Sequence, residues 1–161
     1  MEGGVRIEID VADLERVEAL VTGLTDFDAS ELVLNLVARG SKQTQERVES
    51  GGPGPDGEAW PPNLEGTPTL MRTGRNLRDS IRFSAHGESG EWGAGFEYAH
   101  VHQYGAVITP KNSAFLSFML GSKRVFAKSV TIPPRPFVGV SSADAVELKG
   151  LVTDFLGELT K

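Results

Sequence analysis

The residues best suited to chemistry lie in the stretch YAHVHQYG, where His100 and His102 are separated by one residue. The alternation of residue types predicts a strand, and on a strand these two side chains would point to the same face. A zinc or iron site needs three or four ligands, for which Glu97 and His86 are the nearest further candidates. No HExxH-like spacing supports such a site. A small metal-dependent hydrolase is therefore one hypothesis, and packing of the two histidines is the other.

Other catalytic patterns give no stronger signal. There is no GxSxG nucleophile motif, and the glycine-rich GGPGPDG lacks the GK[ST] ending of a phosphate-binding loop. Carboxylate pairs could be assembled from Glu88, Glu91 and Glu97, but any acidic protein offers such sets. The residues by themselves predict no catalytic site, no metal and no cofactor.

The composition is that of an ordinary globular protein. The chain has 161 residues, a net charge of -6, 39% hydrophobic residues and no cysteine. Disulfides and thiolate metal sites are therefore excluded. No apolar run approaches the length of a membrane span, and the acidic N-terminus does not resemble a signal peptide. We expect one domain over residues 1–161 and no membrane partner.

Charge is distributed unevenly along the chain. The segment from Ala106 to Pro136 contains five basic residues and no acid, whereas the remainder contains 11 basic and 22 acidic residues. The five are Lys111, Lys123, Arg124, Lys128 and Arg135. Three interpretations stay open: a solvated hairpin with lysines protecting its edges, a contact surface for an acidic neighbour, and a nucleic-acid-binding module.

The first half of the chain is predicted to be helical, with one leading strand. Val5 to Ile9 alternates like a strand, and Leu14 to Leu24 has helical spacing. A second helix should begin near Asp28 or Ser30 and run to Ser50, and we expect its polar second half to project beyond the core. Glycine and proline make up ten of the 22 residues from Gly51 to Arg72, which predicts a long ordered loop held by buried Trp60.

The second half is predicted to be an antiparallel sheet followed by a helix. A short helix over Thr73 to Ser80 precedes four predicted strands: Ile81 to Ala85, Glu91 to Phe96, Tyr98 to Tyr104 and Ala106 to Thr109. A long β-hairpin should follow, formed by Phe115 to Leu120 and Arg124 to Ile132 and turned at Gly121-Ser122. Ser141, with Asp144 three residues on, begins the last helix. The predicted fold class is α+β, with the antiparallel sheet and hairpin packed against N-terminal helices and a C-terminal helix.

Four motifs taken together resemble a known family. PDGEAWPP, TGRNLRDSI, WGAGFEYAHVHQYGA and IPPRPFVGVSSAD occur in this order between Pro55 and Asp144. They are similar to the phage virion morphogenesis family, the tail-completion proteins of tailed bacteriophages and prophages, over roughly residues 30–160. The family's motif positions correspond here to Trp60, Tyr98, His102, Gln103, Arg135, Pro136 and Phe137.

The resemblance implies a virion component without enzymatic activity, localised at the neck or tail terminus after synthesis in the host cytoplasm. Such proteins act late in tail assembly and are similar to head–tail joining proteins that form rings around the passage for DNA. The implied partners are other tail or neck proteins, further copies of the chain in a ring, and passing contact with phage DNA; the isolated protein could be a monomer. The basic side chains Lys111, Lys123, Arg124 and Lys128 are the expected contacts to a subunit or to DNA.

Overall fold

A computed structural model describes residues 4–10, 28–66, 69–70 and 74–159. Its helices are α1 (Ser30–Ser50), α2 (Gly74–Asp79), α3 (Ala99–Tyr104) and α4 (Ser142–Leu159). Its strands are β1 (Val5–Asp10), β2 (Ile81–His86), β3 (Ser89–Ala94), β4 (Ala106–Ile108), β5 (Leu116–Leu120), β6 (Lys123–Ala127) and β7 (Val130–Ile132). The predicted α+β class is confirmed. The helix predicted over Leu14 to Leu24 lies outside the described residues.

The main sheet is antiparallel and has the order β1-β3-β2. Trp92, at its centre, lies between Ile7 of β1 and Phe83 of β2 and is fully buried. Its indole nitrogen donates a hydrogen bond to Thr44 Oγ1 at 3.0 Å. A Cβ at Gly40 would lie 2.7 Å from the Trp92 ring, so α1 packs this closely on the sheet only because glycine occupies that position.

Helix α1 spans the range predicted, but its second half does not project into solvent. Ser41, Gln43, Thr44 and Arg47 are all buried. They continue the face begun by the apolar residues at 32, 33, 36 and 37, with the same spacing of three and four residues. The helix ends at Gly51, whose φ of 78° is left-handed. The expectation was wrong because polarity was taken to mean exposure, whereas these side chains are buried with hydrogen-bond partners.

The predicted strand over Tyr98 to Tyr104 is wrong, because Ala99–Tyr104 forms helix α3. Ala99 and Gln103 are the buried residues of this helix, and their spacing of four is helical. Six residues are too few to show a helical period, and the alternating residue types imitate a strand. His100 and His102 therefore lie on different sides of a helix instead of sharing a face.

The basic hairpin is shorter than predicted. Strands β5 and β6 pair from Leu116↔Ala127 to Leu120↔Lys123, with the turn at Gly121-Ser122 as predicted. The predicted second strand is divided, because β7 leaves the hairpin and pairs with β4. The tip of the hairpin is attached to the long loop, since the Gly121 N–H donates to Glu65 Oε1 at 2.6 Å.

Helix α4 begins with the predicted capping box. Ser141 N–H donates to Asp144 Oδ2 at 2.8 Å, and Asp144 N–H donates to Ser141 Oγ at 3.1 Å. The helix packs against α1. No helix in the described part of the chain is long and apolar enough to cross a membrane.

Candidate assembly site

Residues 134–139, here called the PRPFVG segment, form the point where the sequence motifs meet. The segment follows β7 without regular secondary structure, yet Arg135, Phe137 and Val138 in it are buried. Buried backbone groups need hydrogen-bond partners, and none of the described strands pairs with this segment to supply them. Side chains from α1, α3 and the long loop supply them instead.

Gln103 of α3 is hydrogen-bonded at both ends of its side-chain amide. Its Oε1 accepts from the Phe137 N–H at 3.0 Å and from the Val138 N–H at 3.1 Å, while its Nε2 donates to the Val138 carbonyl at 3.0 Å. Glutamine carries both a donor and an acceptor, so it can imitate the edge of a neighbouring strand. The helical geometry of α3 is what directs this side chain inward.

Gln103 should therefore be needed for stability. We expect Gln103→Leu to lower the free energy of unfolding by about 2 kcal/mol or more, because it leaves two N–H groups and one carbonyl buried without partners. Gln45→Leu is the matched control, since Gln45 makes one long bond of 3.4 Å to the Ile81 carbonyl. Denaturant unfolding of both variants measures the difference, and equal losses would contradict the role of Gln103.

Arg47 of α1 holds the other side of the segment. Its Nη1 donates to the Phe137 carbonyl at 2.6 Å and to the Gly139 carbonyl at 3.1 Å, and its Nη2 pairs with Asp144. The same Asp144 carboxylate caps α4, so one arginine connects α1, the PRPFVG segment and the last helix. Sequence analysis missed Arg47, because an arginine in a largely polar stretch of helix is typical of an exposed side chain.

The long loop is attached to the segment by Trp60 and Arg135. Trp60, 7% exposed, donates from Nε1 to the Pro136 carbonyl at 2.9 Å. Arg135 donates from Nε to the Pro61 carbonyl at 2.8 Å and from Nη2 to the Pro62 carbonyl at 3.0 Å. The predicted burial of Trp60 is confirmed, and the loop is ordered by reciprocal bonds between two proline-rich stretches that cannot form a ladder of their own.

The predicted motif residues are not all in one place. Trp60, His102, Gln103, Arg135, Pro136 and Phe137 surround or form the PRPFVG segment, with the Arg135 N–H donating to the His102 carbonyl at 2.7 Å. Tyr98 lies apart and is exposed, with its ring edge-on to Phe96 at 5.6 Å. A hydrogen bond to Glu97 raises the pKa of the Tyr98 hydroxyl.

The two histidines occupy different environments. His100 is exposed, whereas His102 is half-buried, and its Nδ1 is a buried side-chain atom that has no hydrogen-bond partner among the residues that the structure describes. Burial, together with the nearby Arg135 charge, lowers the pKa of His102, so its ring is neutral at neutral pH. Within residues 4–10, 28–66, 69–70 and 74–159, no three His, Asp or Glu side chains are grouped so that they could hold a metal ion.

An apolar groove of about 550 Å³ lies between the hairpin and the long loop. His102 and Arg135 lie on its lining, and apolar side chains form most of the rest: Leu64, Leu70, Ile108, Leu116, Phe118 and Leu120. The side chains of Lys111, Lys123, Arg124 and Lys128 are exposed on the same hairpin region. The hairpin also exposes large apolar side chains, including Phe126 at 64% and Met119 at 46%.

Comparison with known proteins decides the family. The model of the phage virion morphogenesis family matches residues 12–157. The chain belongs to this family. The match spans the long loop, α3, the PRPFVG segment and the hairpin, so the hydrogen-bonded centre described above lies within a phage virion morphogenesis domain. No curated protein and no solved structure gives a significant match.

Membership supports a role in building the phage virion. The PRPFVG segment is then the structural centre of a virion morphogenesis protein. Its bonds to α1, α3 and the long loop hold this segment in place directly after β7. Strand β7 pairs with β4, and these two strands flank the hairpin in the chain.

Proposed function

We propose that this virion morphogenesis protein completes the phage tail, or joins it to the head at the neck, by forming a closed ring without enzymatic activity. Its partners would be further copies of itself and other tail or neck proteins, with DNA passing through the ring. The observation that carries the proposal is the hairpin, which combines exposed cationic and exposed apolar side chains. A two-stranded hairpin is only marginally stable when isolated in water, and exposed apolar patches mark contact surfaces.

Uneven charge supports a head-to-tail contact. In a closed ring, each subunit presents one surface to a different surface of the next. All charged residues in 106–136 are basic, and the remainder of the chain has twice as many acidic residues as basic ones. Opposite charge on the two surfaces would guide docking and fix its register.

Charge reversal in the hairpin tests this function. We expect Lys123→Glu combined with Arg124→Glu to block ring formation and to abolish rescue when the protein is added to tails that lack it. Infectious particles are counted, and rings are visualised by electron microscopy. The control reverses two exposed basic residues elsewhere, Lys42→Glu with Arg82→Glu, for the same change in net charge.

The other outcomes identify the alternatives. Intact rings with reduced infectivity would indicate that the hairpin lines the DNA channel. Full rescue would show that the hairpin is a solvated edge, which contradicts its role as a contact surface. Binding of the purified protein to DNA that weakens steeply with salt would favour a nucleic-acid-binding module. Stoichiometric metal retained after dialysis would favour the hydrolase.

A further inference from the structure

Arg135 is a buried cation without an acidic partner. The residue is 6% exposed, and its side chain donates to the Pro61 and Pro62 carbonyls. These acceptors are neutral, and among the described residues no carboxylate forms an ion pair with Arg135. Arg47, which is also buried, pairs with Asp144. Because a buried charge is costly unless it is paired, the surroundings of Arg135 are incomplete in the isolated subunit.

The unpaired cation lies on the lining of the apolar groove, beside a second polar group that lacks a counterpart. That group is His102 Nδ1, which is buried and has no hydrogen-bond partner in the described part of the chain. Burial lowers the pKa of both side chains, and the Arg135 charge lowers the pKa of His102 further. Glu65 also lies on the lining, but its Oε1 accepts from the Gly121 N–H. The groove therefore contains a positive charge that no described side chain neutralises.

The Arg135 guanidinium keeps a donor for an incoming acceptor. Its bonds to the two prolyl carbonyls use Nε and Nη2, and Nη1 makes no hydrogen bond to a described residue. Hydrogen bonds from a guanidinium to a carboxylate are roughly twice as strong as neutral ones. The exposed Lys123 and Arg124 lie on the hairpin that forms one wall of the groove, so they add positive potential around it. The missing counterpart is therefore an anion.

The rest of the lining indicates what the anion is attached to. Leu116, Phe118 and Leu120 are among the apolar side chains of the wall, and aliphatic groups pack well against them. A DNA phosphate would bring a sugar and further charges that this wall cannot hydrogen-bond. A glutamate or aspartate between aliphatic residues of a protein segment suits both the guanidinium and the wall. The volume of about 550 Å³ lies within the range of specific binding pockets.

We propose that the groove binds a segment of another virion protein in which an acidic residue is flanked by aliphatic residues, with its carboxylate bonded to Arg135. The aliphatic side chains would pack against the groove wall, and the carboxylate would complete the ion pair that the isolated subunit lacks. The inference adds the chemistry of one partner to the proposed function. It rests on that function only in taking the partner to be a virion protein, and it does not require a ring.

Two capped peptides that differ in one charge test the site on the unsubstituted protein. The probe is ALELLA, and the control is ALQLLA, which has the same length and a neutral amide in place of the carboxylate. We expect titration with the probe to shift the ring NMR signals of His102 until they saturate. The probe should bind about tenfold more tightly than the control, which corresponds to about 1.4 kcal/mol. His86 and His100 are exposed and should keep their signals, so they are internal references.

The opposite results are equally clear. Equal affinities for the two peptides, or no binding of either, would overturn the inference. Shifts confined to His86 or His100 would place the bound peptide outside the groove and would overturn it as well. A single-stranded oligonucleotide that shifts the His102 signals at a lower concentration than the probe would assign the groove to phosphate instead of a protein carboxylate.

Arg135→Lys tests whether the guanidinium carries the preference for the acidic peptide. Lysine keeps the charge but lacks the planar set of donors that serves the two carbonyls and a carboxylate together, so the preference should fall to about threefold or less. Arg82→Lys, at an exposed position of β2, is the control and should keep the preference. Denaturant unfolding shows whether each variant is folded. If Arg135→Lys is unfolded, the two peptides on the unsubstituted protein decide; an unchanged preference in a folded variant would contradict the role of Arg135.

The peptide titration and the hairpin reversal fail independently, because the titration uses the isolated subunit. If Lys123→Glu with Arg124→Glu gives full rescue while the acidic peptide is preferred, the ring contact is wrong and the carboxylate site stands. If the reversal blocks rescue while the two peptides bind equally, the ring contact stands and the carboxylate site is wrong.

Discussion

Trp60→Ala is expected to lower the free energy of unfolding by about 3 kcal/mol or more, as for other large buried aromatic side chains. Trp60 is buried and is the point at which the long loop is bonded to the Pro136 carbonyl. Besides Trp60, the loop is held by the bonds from Arg135 to the Pro61 and Pro62 carbonyls and from the Gly121 N–H to Glu65, because glycine and proline limit the regular structure that it can form by itself. Thermal and denaturant unfolding measure the loss, and limited proteolysis should show cleavage between residues 51 and 66.

Trp60→Phe separates packing from hydrogen bonding. It keeps much of the aromatic surface and removes the indole N–H, so its expected loss is smaller, about 1–2 kcal/mol for the unpaired Pro136 carbonyl together with the reduced packing. An unchanged melting temperature in Trp60→Ala would show that the loop is not held by this side chain. Equal losses in both variants would show that the hydrogen bond, and not burial, orders the loop.

Arg47→Met should lower the free energy of unfolding by about 3–5 kcal/mol, because it removes one partner of a buried ion pair. The Arg47 residue is 8% exposed, and its guanidinium bonds two carbonyls of the PRPFVG segment besides Asp144. Methionine preserves most of the length and volume but leaves these acceptors without donors. Denaturant unfolding measures the loss.

Arg39→Met is the control for Arg47. Arg39 lies on the same helix and pairs with Glu147 and Glu46, but its side chain is 32% exposed. Hydrogen bonding to Glu147 raises the pKa of Arg39, yet ion pairs near the surface contribute only up to about 1 kcal/mol. If Arg39→Met lowers the free energy of unfolding as much as Arg47→Met does, the bonds of Arg47 to the PRPFVG segment stabilise the fold no more than a surface ion pair.

These variants separate two kinds of residue in this phage virion morphogenesis protein. Trp60, Gln103 and Arg47 hold the PRPFVG segment, so their loss should reduce assembly through instability of the isolated subunit. Lys123 and Arg124 are exposed, so their reversal should block assembly while the free energy of unfolding changes by no more than about 0.5 kcal/mol. Measuring unfolding and rescue on the same variants distinguishes a folding defect from a contact defect.

The sequence by itself determined the fold class, the long helix, most strands, the capping box of α4 and the burial of Trp60. Each has a strong local cause: helical periodicity over many turns, strand alternation, a Ser–Asp pair at a helix start, or one large aromatic in a stretch rich in glycine and proline. The family resemblance depended likewise on local motifs, and the match over residues 12–157 confirms it.

Only the tertiary structure decided what those motifs do. YAHVHQYG alternates like a strand, but packing makes it a six-residue helix, because Gln103 then reaches the Phe137 and Val138 backbone. Arg47 is polar and is expected from its type to be exposed, but it is buried because it donates to carbonyls of the PRPFVG segment with which none of the described strands pairs. The state of short elements and of buried polar side chains depends on partners up to 104 residues away in the chain, and local sequence does not carry that information.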